Sequence, residues 1–463
     1  MTAVDFPEEA KTLEFIPRVP AGYRAQTVGQ LKGEFMEGTR EALFEELGLW
    51  LAGRLPQDEP KRLYFLSGAA GVGKSSVAHQ LCVRLDDSKQ IPRLGASFFL
   101  IRSEEGLSSI RLFYSTLVHQ LALSQPTLRP HIITVVQEYL QRDDHQNMGS
   151  ASIDLLRRAF RAATATPDPL PLFLVIDALD ECKERDLLPE LLQSLLGLVH
   201  EFPWLHVFAT SRPEPHVMAV LTSSAIASVV HHRSLDDTLE DWSGDVKLYL
   251  EETIPKISSY ADYLREHPSA IKDLIARAAG IFIYARVAVN FLKAYDDHPE
   301  EQLALLLSTE GGAGLSPLDA LYLQVLRSAF PPADLHKAPL RRQRLLSLLQ
   351  IILLQNSLLK PVLIALLGSG TSQMSERDVV TMVDRLRSVL LINKQGDVTP
   401  LHATFGEFLL DSERCIDPLY HVDKGRGKAR ITFGFLGAFS INNVTEYLEN
   451  TDSAAWTYVY CAT

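Results

Sequence analysis

Short apolar runs alternate with stretches of helical spacing through the first half of the chain. The runs are Leu63-Tyr64-Phe65-Leu66, Ala96-Ser97-Phe98-Phe99-Leu100-Ile101, Leu172-Phe173-Leu174-Val175-Ile176 and Leu205-His206-Val207-Phe208-Ala209-Thr210. Continuous apolar character of this kind suits strands buried on both faces. Between them, Val77, Leu81 and Leu85 fall on one helical face, and a second apolar-periodic helix lies near Ile110 to Leu121. Strand alternating with helix predicts an α/β fold built on a doubly wound parallel sheet.

The pattern changes after the sheet. Residues from about 236 to 308 read as helices, one beginning with Asp245 to Leu250, one over Ile271 to Ala278 and one opening at Gly280-Ile281-Phe282. Glu310-Gly311-Gly312-Ala313-Gly314 reads as a flexible hinge. Further helices follow. Then Val389-Leu390-Leu391-Ile392, the turn Asn393 to Asp397 and Val398-Thr399 predict a β-hairpin. Residues 345 to 368 are long and apolar, but Gln355-Asn356-Ser357 and Lys360-Pro361 divide them. Each piece is shorter than the ~20 residues of a membrane span, so two buried helices are expected.

Candidate chemistry sits where strands end. After Leu66, residues 68 to 75 read Gly-Ala-Ala-Gly-Val-Gly-Lys-Ser, a complete phosphate loop between a strand and a helix. Gly68, Gly71 and Gly73 let the backbone curl so that N–H groups, Val72 among them, face phosphates. The helix entered through Ser75 and Ser76 adds its positive end. Lys74 is expected to reach the β- and γ-phosphates, and the Ser75 hydroxyl to hold Mg²⁺. The third apolar run, Leu172 to Ile176, leads into Asp177-Ala178-Leu179-Asp180-Glu181. Asp177 is expected to help hold Mg²⁺, and Asp180 or Glu181 to orient or deprotonate an attacking water. Arg212 stands at the tip of the next strand, where its charge could meet the γ-phosphate.

Composition narrows the setting. The chain has 463 residues, 46% hydrophobic and 22% charged, enough for two to four domains. A net charge of −12 argues against general nucleic-acid binding. Cys82, Cys182, Cys415 and Cys461 are far apart and form no metal or disulfide pattern, which fits a reducing, cytoplasmic setting. Met1 to Asp5 shows no secretory signal.

Gly38-Thr39-Arg40, the phosphate loop, Gly95-Ala96-Ser97-Phe98-Phe99, Ile176 to Cys182 and Ala209-Thr210-Ser211-Arg212-Pro213 together resemble a NACHT domain. The resemblance is greatest to nephrocystin-3-like NACHT domains of filamentous fungi, within the STAND class of signalling P-loop NTPases that includes the NOD-like receptors. It covers roughly residues 36 to 411. It implies Arg40 beside the nucleotide, near adenine, then a helical domain and a winged helix. Where related proteins carry Gly-Leu-Pro with a proline on adenine, this chain has Gly280-Ile281-Phe282. Leu401-His402-Ala403-Thr404-Phe405 matches the place where a STAND histidine contacts the β-phosphate of ADP, which makes His402 a candidate ligand. Without the resemblance, His402 reads as a helix-capping residue.

The expected organisation is an N-terminal extension to 36, a nucleotide-binding domain over 37–235, a helical domain over 236–310, a winged helix over 315–411 and a C-terminal helical segment over 412–463. Basic and acidic residues nearly cancel on the expected third helix of the winged helix, from Glu376 to Ser388, so DNA binding is not expected. Only some 35 residues precede the core, and the terminal run Ala454 to Cys461 ends apolar, so effector and sensor partners are expected through regions that are short or missing. The leading expectation is an ADP/ATP-operated signalling switch with slow hydrolysis and ATP-driven self-association. A steadily working ATPase coupled to remodelling and a nucleotide-binding scaffold remain the alternatives.

Overall fold

The computed structural model describes residues 11–56, 60–87, 93–104, 106–141, 148–163, 171–221, 223, 228–236, 239–294, 298–308, 316–354, 358–369, 374–392 and 396–425. The expected hinge at 310–314, the centre of the expected hairpin turn at 393–395 and the expected terminal helix at 454–461 lie outside them. The chain divides into two compact units, Met1–Glu252 with Ala278–Ala285, and Thr253–Arg277 with Arg286–Thr463.

The first unit is built on five parallel strands, β1 (Leu63–Ser67), β2 (Arg93–Phe99), β3 (Leu172–Asp177), β4 (Leu205–Ser211) and β5 (Val230–Ser234), in the order β2-β3-β4-β1-β5. Its helices are α1 (Gln26–Lys32), α2 (Glu41–Leu51), α3 (Lys74–Asp87), α4 (Phe113–Ser124), α5 (Arg129–Gln141), α6 (Met148–Ala163), α7 (Leu188–Glu201), α8 (Pro215–Leu221) and α9 (Leu239–Thr253). The first crossover runs from β1 to the far edge at β2, and each later one runs back. Right-handed crossovers therefore put α3 on one face and α4 to α8 on the other. Helix α3 packs on β2, β3 and β4, whereas α4 packs on β2 and α7 on β4.

β1 and β3 are buried at every position, as strands covered on both faces must be. Trp50 of α2 fixes that helix to the sheet by edge contacts with Tyr64, Phe173 and His206. The chain leaves β1 and its neighbour β4 in opposite directions, so their C-terminal ends border a topological switch point, where open α/β sheets bind ligands. Parallel sheet, phosphate loop and flanking helices together make this unit a P-loop NTPase fold.

The second unit contains α10 (Ser258–Glu266), α11 (Ser269–Ala278), most of α12 (Phe282–Ala294), α13 (Pro299–Ser308), α14 (Pro317–Ala329), α15 (Pro332–Lys337), α16 (Pro339–Leu354), α17 (Lys360–Ser369), α18 (Glu376–Arg385) and α19 (Ala403–Leu410). The apolar stretch at 345–368 falls on α16 and α17, and no described helix is long and apolar enough to cross a membrane. The expected hairpin is β7 (Leu390–Ile392) with β8 (Asp397–Pro400), and a short β6 (Leu358–Leu359) joins on the other side of β8. Tyr322 and Leu326 of α14 are buried, as are Phe405, Phe408 and Leu409 of α19. Beyond α19 the chain is expected to be helical, but residues 412–423 form turns and irregular backbone. They are tied down by Arg414 to Asp319, Arg327 to Asp417 and the Tyr420 hydroxyl to Phe330 O.

Candidate nucleotide site

The loop after β1 is shaped by two glycines in conformations that strain any other residue. Gly71 has φ +80° and Gly73 φ +98°, conformations that side-chain-bearing residues rarely adopt. At Gly71 an added Cβ would lie 2.2 Å from Cγ2 of Ile283, so the close approach also demands glycine. Ile283 N donates to Gly71 O at 3.2 Å. On another side, Arg40 Nη2 donates to Val72 O at 2.5 Å, and its guanidinium lies 5.1 Å from the Phe282 ring centre. Asp245 holds this arginine through its backbone N at 3.1 Å and its Nε at 3.5 Å. Burial lowers the Arg40 pKa to about 10, with Asp245 acting against the shift. Ala69 N donates to Asp236 Oδ1 at 2.9 Å. The loop is thus held from outside by contacts to its own backbone.

Lys74 is buried and folds back onto its loop, donating to Gly68 O at 2.6 Å and Ala69 O at 2.8 Å. Burial lowers its pKa to about 8, with Asp180 opposing the shift and Arg212 adding to it. Both acceptors are neutral carbonyls, so phosphate oxygens would offer the ammonium stronger, charge-assisted partners. Ser75 and Ser76 are half-buried in the first turn of α3.

The second cluster forms beyond β3 and β4. Asp177 is fully buried at the end of β3. Its Oδ1 accepts from Thr210 Oγ1 at 2.6 Å, and the same hydroxyl accepts from Ala178 N at 2.9 Å. Asp177 Oδ2 is buried and has no hydrogen-bond partner. Burial raises the Asp177 pKa, while Lys32 and the Thr210 and Ser75 hydroxyls offset part of the shift, Ser75 without completing a bond to Oδ2. Ala178 then turns the chain through φ 61° into the tight 3-10 turn Leu179–Glu181. That turn returns Asp180 toward β4, where its Oδ1 accepts from Arg212 N at 3.0 Å and its Oδ2 pairs with Arg212 Nε at 3.0 Å. Glu181 points elsewhere. Its Oε1 pairs with Lys32 Nζ at 2.8 Å, and its Oε2 accepts from Arg102 N at 2.8 Å.

The donors fit Mg²⁺. Among the described residues no group of three or more His, Cys, Asp or Glu could cage a metal. The site offers one hydroxyl on Ser75 and one carboxylate oxygen of Asp177 that accepts no hydrogen bond and faces Lys32 Nζ at 3.9 Å. A small divalent ion that keeps its waters and takes phosphate oxygens needs no more from the protein. Such an ion would supply charge neutralisation at the phosphates, and Ser75 and Asp177 would hold it.

Three non-glycine residues have positive φ among the described residues, Arg40, Ala178 and Ala279. One holds the loop, one follows Asp177, and one precedes the Gly280–Ile283 segment that contacts Gly71. Strain gathered in this way is common where a site dictates backbone direction. The structure brings together Gly68, Gly71, Val72, Gly73, Lys74, Ser75, Asp177, Asp180, Glu181 and Arg212. It sets Arg40 against the carbonyl of Val72. In the second unit, His402 is the N-cap of α19: its Nδ1 accepts from Thr404 N at 3.3 Å and lies 2.8 Å from Thr404 Oγ1, which in turn bonds Tyr322 at 2.7 Å. Accepting through Nδ1 assigns the ring proton of a neutral His402 to Nε2.

Sequence reasoning missed Lys32, Asp236, Asp245 and Thr210. Thr210 stood within a quoted motif and could have been found as the polar residue ending an apolar strand. The other three join the site only through tertiary contacts.

The family profile described as Nephrocystin 3, N-terminal, matches residues 38–212, the stretch from Arg40's loop through Arg212. No curated protein matches the sequence. Among solved structures, a Walker-type ATPase of Pyrococcus abyssi is similar at 12% identity and TM-score 0.32, over 85% of this chain and 99% of that one. The ORC2 protein of Aeropyrum pernix, solved as ADPNP–ADP complexes, is similar at 11% identity and TM-score 0.35, over 89% and 98%. Drosophila ORC bound to DNA follows at 15% identity and TM-score 0.30, over 79% and 92%. At these levels of likeness the reading of the site rests on its own geometry.

Proposed function

We propose that this chain is an ADP/ATP-operated switch of the NACHT/STAND kind that hydrolyses ATP slowly and self-associates when ATP is bound. The observation that carries the reading is the state of its acids. Asp180 is paired to Arg212, and both oxygens of Glu181 are engaged, by Lys32 and by Arg102 N. A site whose candidate bases are already committed to cations suits slow turnover. The same ion pairs suit charge sensing, because a γ-phosphate competes with Asp180 for Arg212.

In this reading Lys74 and the backbone of Gly71 to Ser75 bind the phosphates, with Ser76 in the same helical turn. Ser75 and Asp177 hold Mg²⁺. Arg212 reports the γ-phosphate, and Asp180 or Glu181 orients water. Residues 236–310 form the helical domain and 315–411 the winged helix, and His402 Nε2–H donates to the β-phosphate of ADP in the closed state. The base is contacted near Arg40.

Three measurements on one preparation test the proposal: the nucleotide released on denaturation, the ATP turnover rate, and light-scattering mass with ADP or a non-hydrolysable ATP analogue. Copurified ADP, slow turnover and growth in mass with the analogue are expected. Fast, steady turnover without a change of mass would replace the switch by a working ATPase. Nucleotide binding with neither property would leave a scaffold.

A further inference from the structure

We infer that Lys32 is a tethered cation that holds the metal position of this site until a nucleotide-borne divalent ion displaces it, an inference that rests on the nucleotide reading above. Lys32 ends α1, which packs on α3. From there its Nζ reaches 3.4 Å from Ser75 Oγ, 3.9 Å from Asp177 Oδ2 and 2.8 Å from Glu181 Oε1. Ser75 and Asp177 are the two protein groups suited to the metal, and Glu181 is a candidate for orienting water. One ammonium therefore lies among all three. Its side chain is 11% exposed, and an ammonium so buried persists only where opposite charge surrounds it. Glu181 Oε1 at 2.8 Å and Asp177 Oδ2 at 3.9 Å supply that charge, so Lys32 sits here as an ion-paired ammonium.

A tethered ammonium and Mg²⁺ cannot share this space. Magnesium binds oxygen at about 2.0–2.1 Å, so an ion on Ser75 that also engages Asp177 lies within a few ångströms of Nζ. Two cations at that separation, with little water between them, repel strongly. A divalent ion also satisfies Asp177 better than an ammonium 3.9 Å away does. As the lysine leaves, Glu181 Oε1 loses its partner while Arg102 N still holds Oε2. Glu181 then presents one unengaged oxygen beside the phosphates. The lysine thus masks metal ligand and candidate base at once, and the arrival of metal unmasks both. Upstream, Tyr23 N bonds Ser97 Oγ at 2.9 Å and Val28 is buried, so the start of α1 stays anchored and the change falls on its C-terminal end.

The test uses the whole chain with saturating ADP and a titration of MgCl₂, read by calorimetry. Lys32→Met keeps the apolar stem and removes the charge. It should lower the Mg²⁺ midpoint about tenfold, a coupling within the range usual between linked sites. In the parent, amide exchange over 26–32 should quicken on passing from ADP with EDTA to ADP with Mg²⁺. A midpoint unchanged or raised in Lys32→Met overturns the inference. So does a loss of ADP affinity that is equal with and without Mg²⁺, which would make Lys32 a phosphate ligand. If the variant does not fold, the parent's exchange decides: equal rates with EDTA and with Mg²⁺ overturn the inference. A parent that binds no ADP at all overturns the nucleotide reading as well, whereas the other failures remove only the role of Lys32.

Discussion

The phosphate loop and the acid cluster, the two halves of the proposed nucleotide site, are held by different forces. Around the loop, contacts go to backbone: Arg40 to Val72 O, Ile283 N to Gly71 O, Asp236 to Ala69 N. Around the acids, side-chain charges bind one another: Lys32 to Glu181, Arg212 to Asp180. Backbone contacts fix a shape whatever charge arrives, whereas ion pairs exchange partners when a phosphate or a metal enters. The loop is therefore the preorganised half of the site and the acid cluster the responsive half. Substitutions in the first should abolish binding, and those in the second should change what binding depends on.

The largest effect is expected from Lys74→Ala. It removes a charge-assisted contact worth about 1.5–3 kcal/mol and empties the centre of the loop. Saturating nucleotide should raise the unfolding temperature of the parent and leave the mutant unshifted, because ligand stabilises only the form that binds it. Equal shifts in both would falsify the site.

Gly71→Ala comes next and tests whether the loop is held by shape. The new Cβ would meet Ile283 Cγ2 at 2.2 Å with φ at +80°. Overpacking costs about 1–3 kcal/mol, and the left-handed conformation about 1–2 kcal/mol more. Nucleotide binding should fall with stability. Adding Ile283→Ala should recover the packing share and leave the backbone share. A double mutant no better than Gly71→Ala would show that Ile283 does not clamp the loop. Denaturant titration of the four proteins gives the coupling directly.

The same contrast explains what could be read from the sequence. The loop was legible because phosphate binding dictates residue types at fixed spacing. Asp177 was legible because a five-residue apolar run leads straight into it. Lys32 was not, since it meets Glu181 across 149 residues and nothing local distinguishes it from a surface lysine at a helix end. Arg40 entered through resemblance alone, because a bond to a backbone carbonyl leaves no pattern in the partner's sequence. Four strands of the parallel sheet were placed closely, but β5 was missed because Val230-His231-His232-Arg233-Ser234 is no apolar run. Helix α9 starts at Leu239, ahead of Asp245. Helix α12 starts at Phe282, not at Gly280, since Ala279 and Gly280 have φ 47° and 78° and cannot continue a right-handed helix. His402 was legible in two ways, as a cap and as a phosphate ligand, and its Nδ1 makes the cap.

Within the responsive half, Asp177→Asn should separate metal from nucleotide. The buried Oδ2, which accepts no hydrogen bond, is the oxygen that would be offered to Mg²⁺ or its water. Removing the charge should weaken Mg²⁺-dependent ATP binding by about 10- to 100-fold, the range found when groups that position a metal are altered. ADP binding in EDTA should change far less. Fluorescent-nucleotide titrations with and without Mg²⁺ measure both, and an equal loss in the two conditions would assign Asp177 to the architecture of the sheet edge.

The smallest expected effect belongs to His402, and it asks whether the second unit feels the nucleotide. The ring uses Nδ1 to cap α19 and to meet Thr404, which extends the network to Tyr322. This leaves the proton on Nε2, the donor that the proposed β-phosphate contact requires. His402→Ala removes cap and donor together, so any faster release of ADP could come from a frayed helix, at about 1 kcal/mol. His402→Asn separates the two. Its side-chain oxygen can still accept from Thr404 N, as asparagine commonly does at an N-cap, but no group reaches as far as Nε2. If the phosphate contact exists, both variants should release ADP about tenfold faster, since a hydrogen bond to a charged group contributes at least about 1.5 kcal/mol. Thermal stability should then fall in the alanine variant alone. Stopped-flow displacement of a fluorescent ADP reads the first quantity and thermal unfolding the second. An asparagine variant that retains ADP as long as the parent would confine His402 to capping and remove the link between α19 and the phosphates.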